Sequence, residues 1–239
     1  MGKTERRTGG SFAGGIFWAI MIFLFLLSLS VVVTLFFRLP YYLDIRLLDL
    51  PERSGRSVTE IRAAYDAMID YMAIWNRGSL TIPGFAMSEH GRIHFEDCKE
   101  IFDLVQILFL ASGIFTAVSF VRHRKSPYCG YLRAAGILSL IFPALILSFA
   151  LLSWEKMFIL FHRVFFRNDY WLFDSSVDPV ILILPDSFFL QCALEILLIV
   201  LIGAGICLAR AERRKIRISS GRRTWSGSGG GRGNARRRS

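Results

Sequence analysis

Four blocks of apolar residues, each long enough to cross a lipid bilayer as a helix, constrain this chain more than any other feature. They run from Phe12 to Phe37, Asp103 to Val121, Tyr131 to Ser153 and Phe188 to Ala209, and Asp103 and Glu195 are the only acids inside them. A helix rises about 1.5 Å per residue, so roughly 18 to 20 such residues span the ~30 Å hydrocarbon layer. The expected fold is an all-α integral membrane protein with four transmembrane helices and a cap between helices 1 and 2. Lys3, Arg6 and Arg7 precede the first block as they would in a signal peptide. Its apolar run is about twice a normal signal core, however, and no small-residue cleavage site follows Phe36-Phe37-Arg38, so an uncleaved anchor is expected.

The formal net charge of +10 points toward nucleic acid until it is divided by region. Residues 1–11 carry three bases and one acid, residues 122–133 four bases, and residues 210–239 eleven bases and one acid. Residues 38–120 hold eight bases against eleven acids, and residues 154–209 three against six. Lys and Arg concentrate on the cytoplasmic side of membrane proteins. Both termini are therefore expected in the cytoplasm and the two acidic connections outside, in a bacterial cytoplasmic membrane if the resemblance described below holds.

The expected order is a cytoplasmic segment 1–11, helix 12–37, extracellular cap 38–102, helix 103–121, cytoplasmic loop 122–130, helix 131–153, extracellular aromatic loop 154–187, helix 188–209 and a basic, disordered cytoplasmic tail 210–239. The Gly/Ser/Arg-rich end of that tail suits attraction to anionic membrane lipids, at about 1 kcal/mol per basic residue near the surface, and nucleic acid is not an expected partner. A monomer is expected. Cys98, Cys129, Cys192 and Cys207 form no recognisable disulfide framework, since Cys129 and Cys207 fall on the reducing side; only Cys98 and Cys192 could meet outside.

Within the cap, Ser57 followed by Glu60 reads as a capping box opening an amphipathic helix that places Val58, Ile61, Tyr65, Met68 or Ile69 and Met72 on one face. The run HFEDCKEIFDLVQILF continues into the second membrane block without Pro or Gly, which sets His94 at or near a helix N-terminus. The second outer connection is rich in Phe, Tyr and Trp and is interrupted by Pro179 and Pro185.

No GxSxG, HExxH, P-loop or CxxC pattern is present, so the search for chemistry narrows to the four histidines. His123 lies in the basic run Arg122-His123-Arg124-Lys125, where it is one more part of a solvated turn. His90 and His94 have a helical metal-ligand spacing, but Gly91 separates them and two ligands do not make a zinc site. No metal or cofactor is expected. His94 and His162 each sit where an outer connection meets a membrane helix, flanked by aromatics in Ile93-His94-Phe95 and Phe161-His162-Arg163. A histidine in that position is ordinarily an interfacial residue.

The stretches GRIHFEDCKEIF (91–102) and FHRVFFRNDYWLFDSSVDPVILILPDSFF (161–189) resemble the two signature regions of the Lit-type bacterial lipoprotein intramolecular transacylases. The four-helix layout with a large first outer segment is similar too, and two membrane helices separate the regions as that family requires. The resemblance implies that His94 and His162 are catalytic. It implies an acyltransferase that moves the sn-2 acyl chain of a diacylglyceryl-cysteine lipoprotein to the α-amino group of the same cysteine.

For such a reaction, one histidine would take a proton from the amine while the other protonates the departing oxygen or steadies the oxyanion, with His94 the preferred base. Phe95, Phe102, Phe161, Phe165, Tyr170, Trp171 and Phe173 are candidates for a pocket that folds the substrate, set against a plain role in the interfacial aromatic belt. Asp97, Asp169 and Asp178 are candidates to orient the imidazoles or hold the amine, set against helix capping and turn formation. A non-catalytic membrane scaffold with a partner-binding cap, and a metal-dependent hydrolase or transporter using His90 and His94, are the competing readings.

Overall fold

The computed structural model describes residues 12–123 and 130–227, and regular structure among them is entirely helical. Helix α1 (Phe12–Phe36) is followed by three short helices, α2 (Leu39–Leu47), α3 (Leu50–Ser54) and α4 (Val58–Tyr71). Then come α5 (Glu89–His123), α6 (Gly130–Leu152), α7 (Trp154–Phe165), a 3-10 turn (Pro179–Ile183) and α8 (Asp186–Gly227). Among the described residues, helices α1, α5, α6 and α8 are the four long and apolar enough to cross a bilayer. They carry apolar residues around their whole circumference, leaving Leu110, Ile114, Leu145, Phe149, Leu198 and Ile202 on the outside. Such surfaces suit lipid as the surrounding solvent.

Helix α1 is the centre of the bundle and packs on α5, α6 and α8, while α6 and α8 also pack on each other. Lipid is as apolar as leucine, so association here depends on close packing. Glycines supply it: a Cβ added to Gly203 would lie 2.5 Å from Leu26 Cδ2, and one added to Gly136 would lie 2.7 Å from Leu208 Cγ.

At the end of the bundle opposite the basic segments, α2, α3 and α4 build a cap. The Ser57 hydroxyl accepts from the Glu60 N–H while the Glu60 carboxylate accepts from the Ser57 N–H at 2.8 Å, the expected capping box. Ile61, Ala64, Tyr65, Met68, Ile69 and Met72 face inward, and Val58 stays exposed. They meet Tyr41 and Ile45 of α2 and Leu50 of α3, with Val180 and Ile183 of the 3-10 turn closing the same core. Tyr41 stacks on Tyr65 at 3.6 Å and donates its hydroxyl to the Ile183 carbonyl at 2.9 Å. The cap core therefore draws on both outer connections.

Polar ties fix the cap to the membrane helices. Arg38, just past α1, pairs with Asp66 and Asp70 of α4. On α5, Lys99 Nζ donates to the Ala73 carbonyl at 2.9 Å, and Gln106 donates to the Met72 carbonyl and accepts from the Ile74 N–H.

Three helices extend beyond, or lie between, the spans expected from sequence. The second membrane helix begins at Glu89, so residues 89–102, assigned to the cap, are the first turns of α5. At 35 residues α5 is roughly 52 Å long, more than the bilayer needs, and its charged start (Glu89, Arg92, Glu96, Asp97, Lys99, Glu100) stands outside the apolar span that begins beyond Asp103. His94 consequently lies in the second turn of the helix, near its N-terminus as expected.

Residues 154–165, read as part of an aromatic loop, form the amphipathic helix α7, capped by the Ser153 hydroxyl accepting from the Lys156 N–H with Glu155 in the first turn. The tail expected to be disordered from residue 210 is helical as far as Gly227, and its first part, ARAERRKIR, contains helix formers and no breaker. Residues 1–11, 124–129 (with Cys129) and 228–239 lie outside the described residues. Cys98, Cys192 and Cys207 are free thiols, which removes the one bridge that topology allowed.

Candidate active site

Helices α5 and α7 carry His94 and His162 to one point beneath the cap, with ring centroids 6.0 Å apart and both rings more than nine-tenths buried. Each is held by its own helix. His162 Nδ1–H donates to the Phe158 carbonyl one turn back at 2.8 Å, which leaves the lone pair on Nε2. His94 Nε2 lies 3.5 Å from the Cys98 sulfur one turn on, and His94 Nδ1 is buried without a partner.

Aromatic rings enclose the pair. Phe166 packs edge-on to His94 at 4.7 Å and stacks toward His162 at 5.5 Å. Phe173 meets His94 at 5.4 Å and stacks on Phe95 at 5.9 Å. On the other side, Phe158 and Trp171 lie 4.2 Å and 4.6 Å from the His162 ring. Burial disfavours charge on both imidazoles. It pushes His94 down to about 4, assisted by His162 and opposed by Asp97. It lowers His162 as well, with the Phe158 carbonyl working against it.

The expected residues do not all converge on this point. Phe95, Trp171 and Phe173 are in contact with the histidines or with each other as expected. Asp97 stands beside His94 and accepts from Asn168 Nδ2 at 3.0 Å, which ties α5 to the loop after α7. Phe102 packs into the cap core instead of the histidine cage. Phe161 is edge-on to His162 at 5.4 Å yet about half exposed, and Phe165 pairs with it on the outer face of α7.

Tyr170 stacks on His90 at 4.2 Å, which engages His90 with an aromatic ring. Asp169 is exposed, and its carbonyl closes a turn onto the Leu172 N–H. Asp178 caps α5: its buried carboxylate accepts from the Ser88 N–H at 2.6 Å and the Ser88 hydroxyl at 2.7 Å. Gly91 makes room for it, since a Cβ there would lie 2.5 Å from Asp178 Oδ1.

Sequence reasoning missed Phe158, Phe166 and Asn168. Phe158 and Phe166 precede and follow His162 by four residues, so a helical reading of 154–165 would have placed both against it. Asn168 follows from no local pattern.

Two imidazoles that burial biases toward the neutral form, caged in aromatic rings at one end of four apolar helices, define a helical membrane protein with a candidate acid–base site. The model of one family, lipoprotein intramolecular transacylase Lit, matches residues 16–189. The solved structure of the membrane-integral lipoprotein intramolecular transacylase Lit from Bacillus cereus aligns with a TM-score of 0.83 at 30% identity, covering 86% of this chain and 96% of that one. Structures of the same Bacillus cereus protein with a histidine replaced by arginine or alanine align at TM-scores of 0.76 and 0.78, with 31% and 30% identity, covering 86% of this chain and 92% and 94% of theirs. No curated sequence matches significantly.

The chain belongs to the Lit family of lipoprotein intramolecular transacylases, and is thus a multi-pass bacterial membrane acyltransferase. The scaffold reading is set aside.

Proposed function

We propose that the substrate is a diacylglyceryl-cysteine lipoprotein and that His94 and His162 act on it as base and acid. The α-amine of the cysteine attacks the sn-2 ester carbonyl through an eight-membered ring that runs over Cα, Cβ, sulfur and two glycerol carbons. The C–N bond forms, the carbonyl pair moves onto oxygen, the nitrogen proton passes to His94 Nδ1, and the C–O bond to glycerol breaks as its oxygen takes the Nε2 proton of His162, which enters the reaction as the imidazolium; passage of the proton from His94 to His162 then restores both rings. A transfer within one molecule needs no acyl-enzyme, in keeping with the absence of any nucleophile signature.

The observation that carries this reading is the buried pair at 6.0 Å, with a lone, unpartnered nitrogen on His94. The assignment of roles follows from their surroundings. Mutual repulsion disfavours protonation of both rings together. Burial lowers both rings, and His162 adds to the effect at His94, whereas at His162 the Phe158 carbonyl and the aromatic faces of Phe158 and Trp171 work against it. His94 is then the base and His162 the acid.

The aromatic cage excludes water and folds a floppy substrate, a positioning effect that can supply roughly 7 to 11 kcal/mol, more than acid–base help at about 10² to 10⁴-fold. The site faces the extracellular interface, both termini are cytoplasmic, and the monomer is the working unit. The test is incubation of purified protein with a diacylated lipopeptide, read by tandem mass spectrometry. The product should have unchanged mass with the acyl chain on nitrogen, and His94→Ala and His162→Ala should each lose about 10²-fold or more. Near-normal turnover in either variant would overturn the proposal.

A further inference from the structure

We propose that the Trp171 indole N–H is the hydrogen-bond donor that receives the oxyanion when the sn-2 carbonyl is attacked, a role that rests on the reaction proposed above. Buried indole N–H groups almost always find a partner, because an unsatisfied donor costs about 1–3 kcal/mol. Trp171 is 9% exposed and its Nε1 is buried with no acceptor. Other buried polar side-chain atoms without a partner lie in the membrane helices (Thr34, Thr116, Ser119, Ser139), in α2 (Asp44) and at the start of α7 (Trp154). Among the described residues, only His94 Nδ1 and Trp171 Nε1 of this set belong to the histidine cage.

The two orphaned atoms complement each other. One is a ring nitrogen of the assigned base, an acceptor in the tautomer that carries its proton on Nε2 beside Cys98, and the other is a donor stacked 4.6 Å from the ring assigned as acid, at an interplanar angle of 28°. An intramolecular acyl shift needs both: a lone pair for the proton leaving nitrogen, and a fixed donor for the charge that appears on the carbonyl oxygen. With His94 taking the first and His162 committed to the departing glycerol oxygen, no histidine remains to meet the oxyanion. The indole N–H cannot transfer its proton at neutral pH, so it stabilises the tetrahedral intermediate without altering the proton balance.

The local backbone fixes this group. The Asn168 side-chain carbonyl accepts from the Tyr170 N–H at 3.1 Å, and the Leu172 and Phe173 N–H groups close onto Asp169 and Trp171 carbonyls. A donor held in place before charge develops costs no reorganisation, and the loss of one such donor typically lowers kcat by about 10² to 10³.

The test replaces Trp171 with 3-benzothienylalanine, which keeps the shape and stacking surface and exchanges the N–H for sulfur, alongside Trp171→Phe. Both proteins are assayed with the diacylated lipopeptide and melted in detergent. The expected result is a kcat about 10²-fold lower in both, with KM and melting temperature of the benzothienyl protein close to wild type. Full kcat in the benzothienyl protein overturns the proposal. A loss matched by raised KM or a lowered melting temperature also overturns it, by making Trp171 a packing residue. Failure of wild type to shift the acyl chain, or retained activity in the histidine variants, would instead strike the underlying reaction.

Discussion

An imidazole taken out of water gives up its charge first, and His94 shows how far that can go when a second imidazole stands beside it. Its folded-state value near 4 lies below the ordinary 6.5, so the folded protein binds fewer protons than the unfolded chain between those limits. Stability from this group is present above about pH 6.5 and is lost as pH falls toward 4. Titration of labelled histidine by NMR should find His94 neutral down to about pH 4, whereas Asp97→Asn, which removes the group opposing the shift, should lower it further. A titration of His94 near 6.5 would contradict the burial described here.

At the same scale, Phe166 touches both imidazoles, and Phe166→Ala should raise KM and lower kcat together by opening the cage to water. The two histidines were visible in the sequence because little else there could do chemistry. Phe158, Phe166 and Asn168 were not, since their importance lies in which way a helix turns and how a loop folds back.

Among the elements, the start of α5 and the loop after α7 depend on each other. Asp178 satisfies Ser88 at the first turn, Asn168 reaches Asp97, and Gly91 is small enough to admit the Asp178 carboxylate. Gly91→Ala should therefore displace the loop that carries Trp171 and lower activity about tenfold or more, although alanine is the better helix former; wild-type activity would show that the two elements are not linked through Asp178. The capping box of α4 acts more locally, and Ser57→Ala should cost about 1 kcal/mol in a melt while sparing kcat.

The capping box and the spans were legible because each is written in contiguous residues. Helix α7 was overlooked because its aromatics and the prolines after it resembled a loop, although Ser153 and a repeat at three and four residues marked its start. The start of α5 lies only a turn or so ahead of the helical run read from His94, because Gly91 and the turn residues before it masked its first residues.

For the molecule as a whole, the four apolar blocks determined the architecture, and lipid sets its packing rule. Gly203→Leu should drive α8 away from Leu26 and lower the melting temperature in detergent, since no hydrophobic force in lipid would draw the helices back. In the reaction proposed above, the cap and the aromatic cage bring two distant groups of a single lipid-linked cysteine together and keep water out while the acyl chain moves from oxygen to nitrogen. That claim is tested most directly by a crossover experiment, in which two lipopeptides with different peptide sequences and isotopically distinct acyl chains are converted in one reaction. The account predicts that every N-acylated product keeps the acyl chain it arrived with; products that combine the peptide of one substrate with the acyl chain of the other would contradict it.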